Sequence, residues 1–318
     1  MSLRRFILKR LLSIIPILFG VSVITFSLVH LTPGDPIAQM VAMNPNVTAA
    51  EEAQLRARYG LDGPIWEQYL TWMGNVLTGD FGEVIGSGRD VSEVVMTRLP
   101  ETIALGLFGW AFGLVIAIPT GIYAAINKDE FADTASRFLA LSGISIPNFW
   151  LGLMLILIGA LWIGLWPVLP PSRHALYHPE MLWYLVLPGI TIGTAAAASI
   201  MRVMRTSMAE EMNKEYVTAA RAKGLPERTV VLKHVLRNSL ISVVTLAATL
   251  TASIVAGSVV VEVVFNWPGL GREFITAIDE REINLIMAIT LFTGVFIIIA
   301  NLLADILYAV LDPRIRYD

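Results

Sequence analysis

The stretch 215–238, "EYVTAARAKGLPERTVVLKHVLRN", is charged and helix-forming in a chain otherwise dominated by apolar residues. From Lys214 to Lys223 it holds good helix formers, and Tyr216, Ala219, Ala220 and Lys223, spaced three or four apart, share one helical face. Gly224 stands where a helix ends in the left-handed conformation, and Pro226 opens a second helix through Val230, Val231 and Leu232 towards Asn238. The pattern reads helix, tight turn, helix. Small residues on the first leg admit another backbone and a basic rim surrounds them, which suits a docking knob for a protein partner. An ordinary basic loop beside a membrane is the other reading the residues allow.

Working outward, the flanks are far greasier. Of 318 residues, 55% are hydrophobic and 15% charged, against roughly 25% charged in a soluble domain. Windows without Asp, Glu, Lys or Arg run over 11–34, 102–127, 138–172, 181–201, 238–261 and 283–304, each as long as the ~20 residues a spanning helix needs. Helices satisfy their own backbone groups in lipid, so the expected fold is an all-α integral membrane bundle of six transmembrane helices. The second leg of the hairpin feeds the fifth of them. Arg4, Arg5, Lys9 and Arg10 before the first window imitate a secretory signal, but its 24 residues exceed the ~7–15 of a signal core. That window is read as helix one. The chain has no cysteine, which excludes disulfides and thiolate metal sites.

Lys and Arg are distributed unevenly between the segments joining the windows. The segments 1–10, 128–137, 202–237 and 305–318 carry sixteen in 70 residues, whereas 173–180 and 262–282 carry three in 29. By the positive-inside rule the first set, both termini included, is cytoplasmic. The chain is expected to divide into an N-terminal transmembrane helix (1–34), an external helical loop (35–101) and a core of five transmembrane helices (102–318) with the cytoplasmic hairpin at 202–237. Within the external loop, Thr48-Ala49-Ala50-Glu51 is a capping box, Tyr59-Gly60 a stop, and Pro64 the start of an amphipathic run through Trp66, Tyr69, Leu70, Met73 and Leu77. The loop is either a lid packed on the bundle or a docking surface for an external partner.

Motifs for chemistry are missing from the sequence. It has no G-x-x-x-x-G-K-[ST] cradle for nucleotide phosphates, no H-E-x-x-H and no G-x-S-x-G. No catalytic residue and no metal site is expected; His174 and His178 could share a helical face, but the neighbouring Pro170, Pro171 and Pro179 favour a loop. Polar residues in the bundle are the candidates for a pathway or gate. Asn301 and Asp305 lie one turn apart in helix six, as lining residues or as structural glue. Glu262 closes helix five before Asn266-Trp267-Pro268-Gly269, as a gate residue or an ordinary helix-end carboxylate. Pro147, preceded by Gly143 and Ser145, predicts a kink inside the longest window, and Pro119 lies late in helix two.

The hairpin resembles the EAA loop of ATP-binding-cassette importer permeases: Glu-Ala-Ala, three residues, Gly, then Ile-x-Leu-Pro. Here those positions read Thr218-Ala219-Ala220, Gly224 and His234-Val235-Leu236-Arg237, so Thr replaces Glu, His replaces Ile and Arg replaces Pro. "ARAKGL" and "KHVLRN" in the hairpin, with "HLTPGDP" (30–36), "SIPNFWLG" (145–152), "VVFNWPGLGREF" (263–274) and "DPRI" (312–315), are similar, in the same order, to the first permease subunit of dipeptide, oligopeptide and nickel importers. The resemblance covers essentially the whole chain.

It implies a type I importer permease fold, with a helical external insertion between helices 1 and 2, that moves short peptides or a related solute such as a nickel chelate by alternating access. It also implies that the hairpin holds the coupling helix. Thr218, Ala219, Ala220 and Gly224 form its seat and turn, with Tyr216, Arg221 and Lys223 around them, and a bulky residue at Ala220 is expected to block docking. The implied partners are a second homologous permease, two cytoplasmic ATPase subunits and an external substrate-binding protein, with membrane lipid around the bundle and no nucleic acid. No cofactor binds this chain; ATP and Mg belong to the partner ATPases. An ion-coupled secondary carrier is the rival, disfavoured by the charge-free windows and by the lack of an evident inverted repeat of helix lengths. A non-transporting membrane scaffold is a third reading.

Overall fold

The computed structural model describes residues 3–31, 37, 41, 48–58, 61–85, 87–164 and 181–311. Among them there is no strand, only an isolated bridge between Glu83 and Asp90. The helices are α1 (Leu3–Leu31), α2 (Ala49–Arg58), α3 (Ile65–Thr78), α4 (Val91–Ile126), α5 (Phe131–Ser145), α6 (Asn148–Leu155, prolonged by a π-helical stretch Ile156–Trp162), α7 (Met181–Glu211), α8 (Glu215–Ala222), α9 (Glu227–Thr229), α10 (Leu236–Val264), α11 (Leu270–Glu280) and α12 (Ile283–Leu311). A π-helical turn, Val230–Val235, joins α9 to α10 without a break.

Five stretches among the described residues are long and apolar enough to cross a membrane alone: Leu11–Leu28, Val91–Ile126, Met181–Glu211, Glu227–Leu250 and Ile283–Ala304. A bent pair, Phe131–Ser145 with Asn148–Gly159, makes a sixth span if its two helices count as one. The window 138–172 does not form one straight helix, because α5 and α6 meet at 104°. Pro147 is the cause: a residue before proline is driven out of the helical region, and Ile146 takes ψ 123 while Pro147 itself takes ψ 135 before α6 begins. The predicted kink is therefore a full break. Pro119, by contrast, is carried inside the continuous helix α4.

The second span also starts earlier than its charge-free window. Helix α4 begins at Val91, inside the segment assigned from sequence to the external loop. Asp90 caps it, its carboxylate accepting from the N–H of Ser92 at 2.7 Å and of Glu93 at 3.2 Å. The Ser92 hydroxyl also donates to Asp90, and these bonds hold that carboxyl below the usual range. The signal was present as an Asp followed three residues later by Glu. Glu93, Arg98 and Glu101 hid it from a search for uncharged windows.

The chain forms two compact units. One comprises residues 1–7, 101–267 and 299–318, with cores built from α4, α5, the α9–α10 leg and the Ala- and Met-rich side of α7. Within it α4 and α7 cross almost backbone to backbone. A methyl at Gly193 would lie 2.4 Å from the Gly109 carbonyl oxygen, and one at Gly113 would lie 3.3 Å from the Gly193 oxygen. Gly109 and Gly113 on one helix and Gly189 and Gly193 on the other are each four apart, the small-xxx-small spacing that lets membrane helices touch closely.

The other unit comprises residues 8–100 and 268–298. Its apolar core joins Val91, Val94 and Val95 of α4 to Leu270 and Ala277 of α11 and Leu285, Ala288 and Ile289 of α12. Polar ties surround that core: the Ile85 N–H donates to Glu282 at 2.6 Å, the Asn284 amide to the Glu83 carbonyl at 3.0 Å, and Arg98 pairs with Glu273 at 3.2 Å. The capping box before α2 forms as expected, Thr48 N–H to the Glu51 carboxylate at 2.7 Å and Glu51 N–H to the Thr48 hydroxyl at 3.4 Å. Pro64 is the residue before α3 rather than its first residue. The Tyr59-Gly60 stop lies outside the described residues.

Candidate functional site

The hairpin is built as its residues dictate. Helix α8 has the extended Lys214 before it and ends at Lys223, after which Gly224 takes φ 75, the left-handed turn that costs a β-carbon-free residue nothing. Val217, fully buried, and Ala220 point into the same core as Val230, Val231 and Val235 of the second leg. The two legs are thus one folded unit. Thr218, Ala219, Arg221, Ala222, Lys223 and Gly224 stay exposed.

Polar bonds lock this geometry. The Tyr216 hydroxyl donates to the Glu211 carboxylate and accepts from the Asn238 amide at 2.9 Å, bridging the end of α7 to the start of α10. Partial burial first, and the Glu211 carboxylate second, push that hydroxyl's pKa up, so it stays a donor at neutral pH. Across the turn Arg221 makes a two-pronged contact with Glu227, at 3.1 and 2.6 Å. Lys214 pairs with Glu211 at 2.6 Å.

Ala220 is where structure and sequence reading part. Its neighbours in the core leave it 7% exposed, so a bulky side chain there strikes the chain's own bundle before it meets any partner. The small exposed positions are Ala219 and Ala222, on the opposite side of α8. Spacing of three or four residues identified a face; which way the face turned depended on the valines of the second leg.

A buried ionic cluster went unseen in the sequence. Asp133 near the start of α5 is fully buried, and Arg205 of α7 grips both its carboxylate oxygens, one through Nε and the other through Nη2 at 2.8 Å. Arg137, one turn on, adds its own pair of bonds, and the Asp129 N–H donates at 3.0 Å. This clamp ties α5 to α7 two turns before α7 enters the hairpin. The available signal was the Asp133 and Arg137 spacing of four; the partner 72 positions away had none.

The pathway candidates scatter. Glu262 is fully buried and accepts from the Thr102 hydroxyl at 2.9 Å, so it joins α10 to α4. Beside it Trp267, 1% exposed, donates its indole N–H to the Glu101 carbonyl at 3.0 Å and its backbone N–H to the Glu262 carbonyl at 2.8 Å. Asn266 turns the chain there in the left-handed region, φ 52. Pro147 stands at the α5–α6 break. Gly152, one turn into α6, packs on Phe265, where an added methyl would meet the ring at 3.0 Å. Asn301 is half-buried on α12; the Asp305 side chain, His174 and His178 lie outside the described residues.

Comparison with known proteins decides what such a bundle belongs to. Residues 117–317 match the family model "Binding-protein-dependent transport system inner membrane component", and residues 3–106 match the model of that family's N-terminal part. The chain belongs to this family of inner-membrane transport components. The permease is 39% identical over 315 residues to the oligopeptide transport system permease protein AppB of Bacillus subtilis, covering 98% of this chain and 99% of the relative. It is 35% identical over 336 residues to the dipeptide transport system permease protein DppB of Escherichia coli K12, with the same coverage of 98% and 99%. Identity to the glutathione transport system permease protein GsiC of Escherichia coli K12 is 38% over 312 residues, again at 98% and 99% coverage.

Among solved structures the permease is similar to an inward-facing form of the MetNI methionine ABC transporter, at TM-score 0.56 and 18% identity over 69% of this chain and 96% of that one. An amino acid ABC transporter determined with histidines gives TM-score 0.51 at 14% identity, over 68% and 94%. These likenesses establish the fold: an ABC importer permease of type I. Its family and its several apolar spans make it a multi-pass protein of the inner membrane.

Proposed function

We propose that this permease moves short peptides inward by alternating access, driven by ATP that partner ATPase subunits hydrolyse. The hairpin is the coupling device. A knob with exposed Thr218, Ala219, Arg221 and Ala222, and a second leg running unbroken from Glu227 into a membrane-spanning helix, carries this reading. A push on the knob is delivered along α10 to Glu262 and Thr102 in the bundle. Val217 and Ala220, pinned in the core, make the hairpin stiff enough to transmit it.

In this reading both termini and the hairpin are cytoplasmic, as the asymmetry of Lys and Arg indicates. The assembly pairs this chain with a second homologous permease, two ATPases and an external binding protein; the 35–101 segment lies on the binding protein's side. Peptides are favoured over a nickel chelate because the relatives AppB, DppB and GsiC are named for oligopeptide, dipeptide and glutathione transport. Nucleotide and Mg are held by the ATPases.

The test is ATP-dependent uptake of a labelled dipeptide in proteoliposomes holding the whole assembly, comparing wild type with Ala219→Trp and Ala220→Trp. Ala219→Trp is expected to abolish uptake and release the ATPase subunits on co-purification while the permease keeps its melting temperature. Ala220→Trp is expected to lower that temperature. Uptake that survives without ATPase subunits would sink the reading and favour an ion-coupled carrier.

A further inference from the structure

Helix α3, Ile65–Thr78, has three sides, and one of them is largely uncovered by the described residues, with Met73 alone half-buried. Gln68, Tyr69 and Trp72 pack on α1. The Tyr69 hydroxyl bonds to the Ser22 hydroxyl at 2.9 Å, the Gln68 side-chain oxygen faces His30 Nε2 at 3.0 Å, and the Tyr69 and Trp72 rings lie 5.3 and 5.8 Å from the Phe26 ring. The second side is polar: Glu67, Thr71, Asn75 and Thr78, all exposed. The third is Trp66, Leu70, Met73 and Leu77, spaced four, three and four apart as a single stripe. Trp66, Leu70 and Leu77 are 66%, 60% and 79% exposed.

The depth of the contact says what covers that stripe. Ser22 and Phe26 lie inside the apolar span Leu11–Leu28. At about 1.5 Å per residue, Ser22 is roughly 9 Å below Leu28 and roughly 13 Å below Leu31. The contact uses one turn of α3, Gln68 to Trp72, but more than two turns of α1, Ser22 to His30, so the helices cross rather than run side by side. A helix crossing a membrane span at that level lies at the boundary of headgroups and acyl chains. Helix α1 shows its own lipid face there, with Ile24, Leu28 and Leu31 strongly exposed. The α3 stripe carries this apolar surface sideways, and Trp66 at its start is the residue type that favours such a boundary.

We propose that α3 is a membrane-interfacial helix, its Trp66–Leu70–Met73–Leu77 stripe seated on lipid in the leaflet that holds the C-terminal half of α1. Its Glu67–Thr71–Asn75 side faces water. The segment 35–101, hydrophilic by position in the chain, is thereby partly immersed, and the stripe is withdrawn from any surface a soluble partner reads. Partition of the exposed side is the deciding observation: a face bound to a soluble protein would not need the apolar and polar residues sorted along the level set by α1.

The chain's lack of cysteine makes the test direct. Single cysteines at Trp66, Leu70, Leu77, Glu67, Thr71 and Asn75, with Ile24→Cys on α1 as the lipid reference, are spin-labelled in the assembled transporter in phosphatidylcholine–phosphatidylglycerol nanodiscs. Collisions with oxygen and with a water-soluble nickel chelate are compared by electron paramagnetic resonance. Oxygen is expected to dominate at 66, 70 and 77, as at 24, and nickel at 67, 71 and 75. Nickel dominance at 66, 70 and 77 would put the stripe in water and overturn the proposal. Loss of both collisions there, in the assembly or on adding the binding protein, would show a protein covering the stripe and overturn it equally. These side chains are exposed, so labelled variants that keep the parent's melting temperature report environment and not misfolding.

Discussion

Replacing Gly193 with alanine tests the closest glycine-to-backbone approach among the described residues. The new methyl would lie 2.4 Å from the Gly109 carbonyl oxygen and 2.9 Å from a Phe112 ring carbon. Neither neighbour has a flexible end to give way, because the oxygen is backbone and the ring belongs to the same crossing. Ordinary contact requires about 1 Å more, so α4 and α7 must part by about that much. If the crossing loses a quarter to a half of a set of contacts like the ~40–60 that one buried leucine makes, at ~0.1–0.2 kcal/mol each, the cost is about 3 kcal/mol. The better helix propensity of alanine returns at most about 1 kcal/mol. The net loss of about 2 kcal/mol is expected as a drop of several degrees in apparent melting temperature, read in detergent by scanning fluorimetry. Gly20→Ala is the control, since nothing lies within 4 Å of a methyl there. A Gly193→Ala permease as stable as the parent, or a Gly20→Ala permease equally weakened, would refute the argument from contact distance.

Other expectations can be checked alongside. Asp133→Ala strands Arg205 beside an emptied site and should cost roughly 3–5 kcal/mol, whereas replacing the whole cluster by apolar residues of similar volume should cost far less, both read by thermal unfolding. Glu262→Ala leaves the buried Thr102 hydroxyl without that acceptor and should cost about 1–3 kcal/mol, with Glu262→Gln milder. Tyr216→Phe removes the bridge between Glu211 and Asn238, about 1 kcal/mol, and should raise amide exchange across 211–216 with little effect on global melting. Glu51 is held below the usual carboxylate range, chiefly by the Thr48 N–H and then by its hydroxyl. A depressed folded pKa means its support for α2 is complete above the ordinary carboxylate pKa and disappears as pH falls through the folded value. Protection factors at 51 and 52, the intrinsic exchange rate at each pH divided by the observed rate, should therefore fall at acid pH, and pH-independent protection would contradict this.

Much of the architecture was legible because a membrane imposes strict local rules. A spanning helix must be long and uncharged, so five of the six windows located spanning helices and the sixth fell on the bent pair, and Gly224 with Pro226 announced the hairpin's turn through backbone requirements alone. The capping box at Thr48 and Glu51 was readable for the same reason: its partners are three residues apart. The same reliance on uncharged windows misplaced the start of α4, since charged residues are tolerated in a helix once it leaves the hydrocarbon. A helical period also names a face without saying what it meets, which is how Ala220 was assigned to a partner when it belongs to the core.

What the sequence by itself determined is therefore the class of molecule, the spans, the hairpin and the family, all set by short-range pattern, composition and covalent backbone constraints. Only the tertiary structure decided that Asp133 meets Arg205 across 72 residues, that Thr102 bonds Glu262 across 160, and that two pairs of glycines bring α4 and α7 to backbone contact. It also decided that α5 and α6 part at 104° and that α3 turns an apolar stripe away from the protein. The physical reason is the range of the forces. Backbone propensity and hydropathy act within a few residues, whereas charge pairing, close packing and the facing of a helix depend on which distant segment arrives alongside.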